Sequence, residues 1–143
     1  MKYQRDIGLG EIFAKPLVEV FGSFPWEIEL IIPVPLGVAR QKERGYNQSS
    51  LLARPVAYMM KIPYKPKALE RTRETRSQVD LTREQRKQNV AGAFQARREH
   101  VFGRNILVVD DVTTSGATLD SCAEALLRAG ARKVYGLTLA RAE

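Results

Sequence analysis

The residues best equipped for chemistry stand together between Val108 and Thr118, in the run VVDDVTTSGAT. An apolar stretch leads into two adjacent acids, Asp110 and Asp111. A hydroxyl-rich segment follows, with Thr113, Thr114 and Ser115, and then Gly116, Ala117 and Thr118 open the next element. The first turn of a helix carries backbone N–H groups and a partial positive charge, a combination that favours a phosphate. The hydroxyls of Thr113, Thr114, Ser115 and Thr118 add donors, and Gly116 lets the backbone approach a ligand closely. Paired carboxylates accept hydrogen bonds from ribose hydroxyls and can orient a magnesium ion through water. The pattern therefore reads as a monophosphate cradle behind two acids. A Walker loop is excluded, because the Lys followed by Ser or Thr after a longer glycine loop is missing. The competing structural reading makes the acids a strand terminator and Thr114 or Ser115 a helix cap. Two adjacent acids ending an apolar strand argue against it.

Such a cradle needs a strand before it and a helix after it, and both are legible. Asn105 to Asp110 (NILVVD) is a continuous apolar run of the kind found in a central parallel strand. Gly116 to Arg128 places Leu119, Cys122, Ala123, Leu126 and Leu127 on one helical face, and Gly130 is positioned to stop it. Lys133 to Leu139 reads as the next strand, which completes a βαβ unit with a parallel sheet. Ligands in such sheets bind at the carboxyl ends of the strands. Upstream, Ile28 to Val34 reads as a buried strand ended by Pro33 and Pro35. Asn47 to Met60 reads as a helix with Leu51, Leu52, Val56 and Met59 on its face and a kink or short first piece at Pro55. Tyr64 to Leu69 is a short strand candidate. Thr82 to Asn89 is a polar helix candidate, with Thr82 and Gln85 as a capping box. Glu11 to Phe21 approximates a helical face blemished by Pro16. The fold class expected is α/β, a mostly parallel sheet flanked by helices.

Bulk properties bound the function. The 143 residues fit one domain, and 44% hydrophobic content is ordinary for a globular protein with one core. No apolar run reaches the roughly 20 residues that cross a bilayer, and the N-terminus lacks the apolar stretch and cleavage site of a secretory signal. A single cysteine, Cys122, excludes an intrachain disulfide and a cysteine zinc cluster and fits a cytoplasmic, reduced setting. Cys122 and the one histidine, His100, read as structural or incidental. The net charge of +7 points to an anionic ligand, either a phosphorylated small molecule or nucleic acid, or to a solvated basic face. Between Arg71 and Arg104 nine basic residues face four acids. Aromatics do not alternate with the basic residues from Arg71 to Arg86, so no base-stacking surface is evident there.

Val108 to Thr118 resembles the signature by which type I phosphoribosyltransferases bind 5-phosphoribosyl 1-pyrophosphate (PRPP). More narrowly, three blocks resemble the ComF (competence protein F-like) family: PVPLGVARQKERGYNQSSLLA, RTRETRSQVDLTREQRKQNVAGAF and VVDDVTTSGATLDSCAEALLRAGA. The resemblance covers roughly Ile28 to Glu143 and implies a single phosphoribosyltransferase-like domain with a Rossmann-like core. Residues 1–27 would form an N-terminal cap of uncertain role. ComF-type proteins often begin with a cysteine-rich zinc module, so a chain with one cysteine is expected to be a short member or a piece.

The resemblance also distributes roles. Thr113, Thr114, Ser115, Gly116, Ala117 and Thr118 would hold the 5′-phosphate. Asp110 and Asp111 would hold the ribose, with magnesium the expected cofactor, held through PRPP and water with no direct protein ligand. The loop after the first core strand would hold the pyrophosphate, on Pro35, Leu36, Arg40, Lys42 and Arg44, where Arg can pair with it in a bidentate way. The stretch Arg71 to Arg86 resembles the lid of this superfamily. It would supply Arg73 and Arg76 to the departing charge, with Arg83, Arg86 and Lys87 as further candidates. The reaction implied is transfer of phosphoribose from PRPP to an unidentified nitrogen acceptor. Some purine-salvage members carry an acid in the phosphate loop where this chain has Thr114, so no general base is named. The expected ligand is PRPP or ribose 5-phosphate. The alternative is a non-catalytic PRPP sensor or a DNA-uptake accessory that binds single-stranded DNA. Competence proteins and a second copy of the chain stay open as partners.

Overall fold

The computed structural model describes residues 27–36, 48–72, 82, 84, 85, 92–113 and 116–141, with 111–113 and 139–141 described by their backbone alone. Three strands form one sheet: β1 (Leu30–Pro33), β4 (Asn105–Thr113) and β5 (Lys133–Arg141), in the order β1-β4-β5. Both pairings are parallel, with Leu30 opposite Ile106 and Pro33 opposite Val109 on one side of β4, and Asn105 opposite Lys133 through Thr113 opposite Arg141 on the other. The helix α1 (Gln48–Met60) follows β1, and the helix α3 (Ala117–Arg128) follows β4. Between them lie a short hairpin, β2 (Leu69–Arg71) with β3 (Phe94–Ala96), and one helical turn, α2 (Arg98–Val101).

β4 is buried from Asn105 to Asp110 because it carries a helix against each face. Its alternating side chains divide accordingly. Leu107 and Val109 join Ile31 and pack on Leu52, Ala53, Val56 and Ala57 of α1. Ile106 and Val108 join Leu30 and Ile32 and pack on Cys122 and Leu126 of α3, with Leu69 and Phe94 of the hairpin closing the same cluster. This is the two-sided burial that the apolar run NILVVD requires.

Several sequence expectations shift. β4 does not end at Asp110; it runs on to Thr113 because β5 offers Ala140 and Arg141 as parallel partners. β5 likewise extends to Arg141, two residues past Leu139. α1 runs unbroken through Pro55, and its buried face holds Ser49, Leu52, Ala53, Val56 and Ala57; Leu51 is half-buried and Met59 is exposed. α3 buries Ala117, Cys122 and Leu126 and exposes Leu127. The expected strand Tyr64 to Leu69 is a single bridge from Tyr64 to Ile31, then a 3-10 turn at Pro66–Ala68, with strand pairing only from Leu69 onward. Pro66 opens the 3-10 turn and has no N–H to give a ladder. β3 and α2 went unread, being three and four residues long.

Other expectations hold. Gly130, at φ +99°, follows the end of α3, and the Ala131 N–H returns to the Leu126 carbonyl at 3.1 Å. Thr82 and Gln85 form the reciprocal capping box, with bonds of 3.0 and 3.2 Å; residues 83 and 86–89 of that polar helix, like Glu11 to Phe21, lie outside the described residues. Among the described residues no helix is long and apolar enough to cross a membrane.

Candidate functional site at the carboxyl edge of the sheet

Because β1 and β4 are parallel, the elements that follow them begin at the same edge. The chain leaves β1 beside β4, with the Val34 N–H donating to the Val109 carbonyl at 2.9 Å. Pro35 and Leu36, both half-buried, therefore continue next to the residue that follows Val109, which is Asp110. The start of α1 returns to the same place. Ser49 in its first turn donates its hydroxyl to Asp110 Oδ1 at 3.0 Å, across 61 positions of sequence. Asp110 is 8% exposed and Ser49 is 4% exposed. A carboxylate in such surroundings needs hydrogen-bond donors to stay charged, and Ser49 is one of them.

On the other side of the edge, β4 passes into α3 through Gly116. This glycine holds φ +78° and ψ −1° as the residue before the helix. That is the left-handed region, which costs an L-residue roughly 1–2 kcal/mol. A Cβ placed on Gly116 would meet no described atom within 4 Å, so the conformation, and not crowding by the described protein, demands glycine here. The Asp120 N–H donates to the Gly116 carbonyl at 2.9 Å, which sets the first turn of α3.

The hairpin borders the edge on a third side. Arg71, the last residue of β2, donates its Nε–H to the Pro35 carbonyl at 3.2 Å and lays its guanidinium over the Phe94 ring of β3 at 4.8 Å. The hairpin is closed beyond it by the Thr72 N–H and hydroxyl, both donating to the Ala93 carbonyl at 2.6 and 3.1 Å.

The expected site residues are distributed as follows. Asp110, Gly116, Ala117, Thr118, Pro35 and Leu36 all lie along this one edge. Asp111 and Thr113 are backbone members of β4, which moves Thr113 from the loop into the strand; their side chains are outside the described atoms. Thr114, Ser115, Arg40, Lys42, Arg44, Arg73 and Arg76, like Arg83, Arg86 and Lys87, lie outside the described residues. Sequence reasoning missed Ser49 and the link from Arg71 to Pro35. Ser49 left a trace, since a hydroxyl at the head of the stripe Leu52, Ala53, Val56 is polar on a buried face.

The two residues read as incidental differ from each other. Cys122 is buried in the core, and burial raises its thiol pKa far above the ordinary value, with Asp110 adding to the rise and Arg71 opposing it. It is no nucleophile. His100 has its Nδ1 3.4 Å from Lys65 Nζ, remote in sequence from the edge.

The donor set suits magnesium. Asp110 offers a hard carboxylate oxygen beside a hydroxyl, a group able to orient a magnesium ion through water. Magnesium is commonly held by one or two carboxylates with substrate phosphates and water.

A parallel sheet with helix starts and a left-handed glycine at its carboxyl edge defines an α/β fold with an edge suited to a phosphate. Comparison with known proteins is more specific: residues 9–142 match the phosphoribosyl transferase domain, and the chain belongs to that family. It is 40% identical over 111 residues to the DNA utilization protein YhgH of Escherichia coli, covering 78% of this chain and 48% of that protein. It is 37% identical over 117 residues to competence protein F of Haemophilus influenzae, covering 80% and 51%. The chain spans about half the length of the curated relatives it matches. In fold it is similar to the glutamine PRPP amidotransferase of B. subtilis, with a TM-score of 0.59 at 21% identity over 94% of this chain and 26% of that one. The adenine phosphoribosyltransferase of Rhodothermus marinus gives a TM-score of 0.58 at 14% identity, over 92% and 78%. The fold is that of the type I phosphoribosyltransferases.

Proposed function

We propose that this chain binds PRPP along the carboxyl edge of its sheet and catalyses magnesium-dependent transfer of the phosphoribosyl group to a nitrogen acceptor. The observation that carries this reading is the junction of β4 and α3, where a buried Asp110 is held by Ser49 and is followed within six residues by a left-handed Gly116 at a helix start. In this reading the first turn of α3, with Thr114 and Ser115, receives the 5′-phosphate, and Asp110 with Asp111 accepts the ribose hydroxyls. Pro35 and Leu36, with Arg40, Lys42 and Arg44, receive the pyrophosphate, and Arg73 and Arg76 close over it. The bond from C1 to the pyrophosphate oxygen breaks with its electron pair leaving on oxygen. The acceptor nitrogen forms the new bond to C1 and loses a proton to solvent. The residues supply position and charge compensation and no covalent intermediate. Magnesium, when bound, neutralises the leaving pyrophosphate as a Lewis acid.

The test is to incubate the protein with PRPP, magnesium and a panel of nitrogenous bases and amines while measuring pyrophosphate release. Release above the no-enzyme blank with at least one acceptor is expected. Release equal to the blank across the panel removes the catalytic claim.

A second reading is favoured by a specific surface. The relatives' names, DNA utilization and competence, bring single-stranded DNA into question for this chain. Residues 48–69 hold four basic residues and no acid. Of these, Arg54 and Lys61 are exposed in and just after α1, and Tyr58, one turn after Arg54, is 86% exposed. An exposed aromatic among cations is the arrangement on which bases stack. On this reading fluorescence anisotropy with labelled oligo(dT) shows binding that weakens with salt, with a log–log slope of about −2 to −3 at roughly −0.7 per phosphate neutralised. Tyr58→Ala weakens it further. A flat signal at low salt eliminates direct DNA contact.

A further inference from the structure

We infer that Arg71 is a positioning residue that orients the peptide between Pro35 and Leu36 for the pyrophosphate end of PRPP and ties that peptide to the hairpin. The inference rests on the PRPP reading above and assigns a residue to it that stands in neither the phosphate turn nor the expected set of pyrophosphate contacts.

Three observations meet at this side chain. Its backbone is the last of β2, paired with Phe94 of β3, so it sits where the chain leaves the hairpin. Its guanidinium is flattened over the Phe94 ring at 4.8 Å, which fixes the plane of the group. Its Nε–H, held in that plane, donates to the Pro35 carbonyl at 3.2 Å, across 36 positions of sequence. One side chain thus bridges the hairpin and the segment after β1.

The consequence follows from peptide geometry. The described residues contain no cis peptide bond, and in a planar trans peptide the C=O and the following N–H point to opposite sides. A Pro35 carbonyl drawn to Arg71 directs the Leu36 N–H away from it. Without that anchor the peptide is free to turn its carbonyl oxygen toward an incoming anion, where a donor becomes a repelling dipole. Pyrophosphate carries the charge that feels this difference, and ribose 5-phosphate lacks a group at that position. Arg71 therefore acts on one end of the ligand alone.

The experiment is calorimetric titration of the wild-type chain, Arg71→Gln and Arg71→Lys with PRPP, pyrophosphate and ribose 5-phosphate, all with magnesium, after thermal denaturation has established that each variant is folded. Loss of one charge-assisted hydrogen bond predicts that Arg71→Gln binds PRPP and pyrophosphate about tenfold or more weakly, while ribose 5-phosphate stays within about twofold. Arg71→Lys keeps a cation near Phe94 without the guanidinium fork and falls between. Should Arg71→Gln fail to fold, Arg71→Lys carries the same comparison. Equal loss of all three ligands, or undiminished binding of PRPP, overturns the positioning role while leaving the PRPP site intact. A wild-type chain that binds none of the three overturns the reading of the site and this inference with it.

Discussion

Asp110→Asn combined with Asp111→Asn is expected to abolish the stabilisation that PRPP confers on the wild-type chain while leaving a folded protein. A ligand at about 100 times its dissociation constant adds about 2.7 kcal/mol to folding stability. At roughly 2 cal/mol/K of unfolding entropy per residue, that is a rise of about 9 °C in Tm for a chain of this length. Each hydrogen bond from a ribose hydroxyl to a carboxylate is worth about 1.5–3 kcal/mol, so losing two weakens binding by about 150-fold or more. At the same PRPP concentration the remaining stabilisation is about 0.3 kcal/mol, or about 1 °C. The unliganded protein responds in the other direction at Asp110. The Asn side chain has nearly the same shape, its carbonyl oxygen can still accept the Ser49 hydroxyl, and a neutral group is cheaper to bury than a charge. Thermal denaturation with and without PRPP decides the matter. A double variant whose Tm still rises as far as that of the wild type contradicts the assignment of these carboxylates to the ribose.

The same residue shows where sequence reading stops. The run from Asn105 into two acids is legible because burial on both faces demands continuous apolar residues, and the periodicity of α3 is legible because one helix face is buried. The extent of β4 is not legible, since Val112 and Thr113 join the strand only because β5 supplies a parallel partner from 28 positions downstream. The partner of Asp110 is not legible either. Ser49 reads as one polar residue in a helix, and only the folding of α1 back to the sheet edge brings it within 3.0 Å of the carboxylate. β2 and β3 are three residues each, with residues 72–93 between them, so neither shows an alternation long enough to mark it. Arg71 consequently read as one basic residue among nine between Arg71 and Arg104. Its distinction, a carbonyl on one side and an aromatic ring on the other, is a product of register: it lies opposite Phe94 because Leu69 lies opposite Ala96. Local pattern therefore located the turn from β4 into α3, and long-range pairing supplied what surrounds it.

Gly116→Val separates the two ends of the proposed ligand from the opposite direction to Arg71→Gln. Valine is β-branched and adopts φ near +78° at a cost above the roughly 1–2 kcal/mol of an ordinary L-residue, so the junction of β4 and α3 relaxes toward negative φ. The described protein offers no steric objection, because no described atom lies within 4 Å of the added Cβ. The fold is expected to survive with a stability lower by about 2 kcal/mol, read from urea denaturation at an unchanged m-value. The turn proposed to receive the 5′-phosphate is expected not to survive. A shift of the first turn of α3 misaligns several donors at once, and losing two charge-assisted hydrogen bonds is worth about 150-fold or more in affinity. Ribose 5-phosphate and PRPP should both lose that factor in calorimetric titration, whereas pyrophosphate alone, bound beside Pro35 and Leu36, should stay within about twofold of wild type. Gly116→Ala is expected to fall between, having the same left-handed penalty without the branch. Ribose 5-phosphate binding to Gly116→Val that matches the wild-type value would place the phosphate elsewhere.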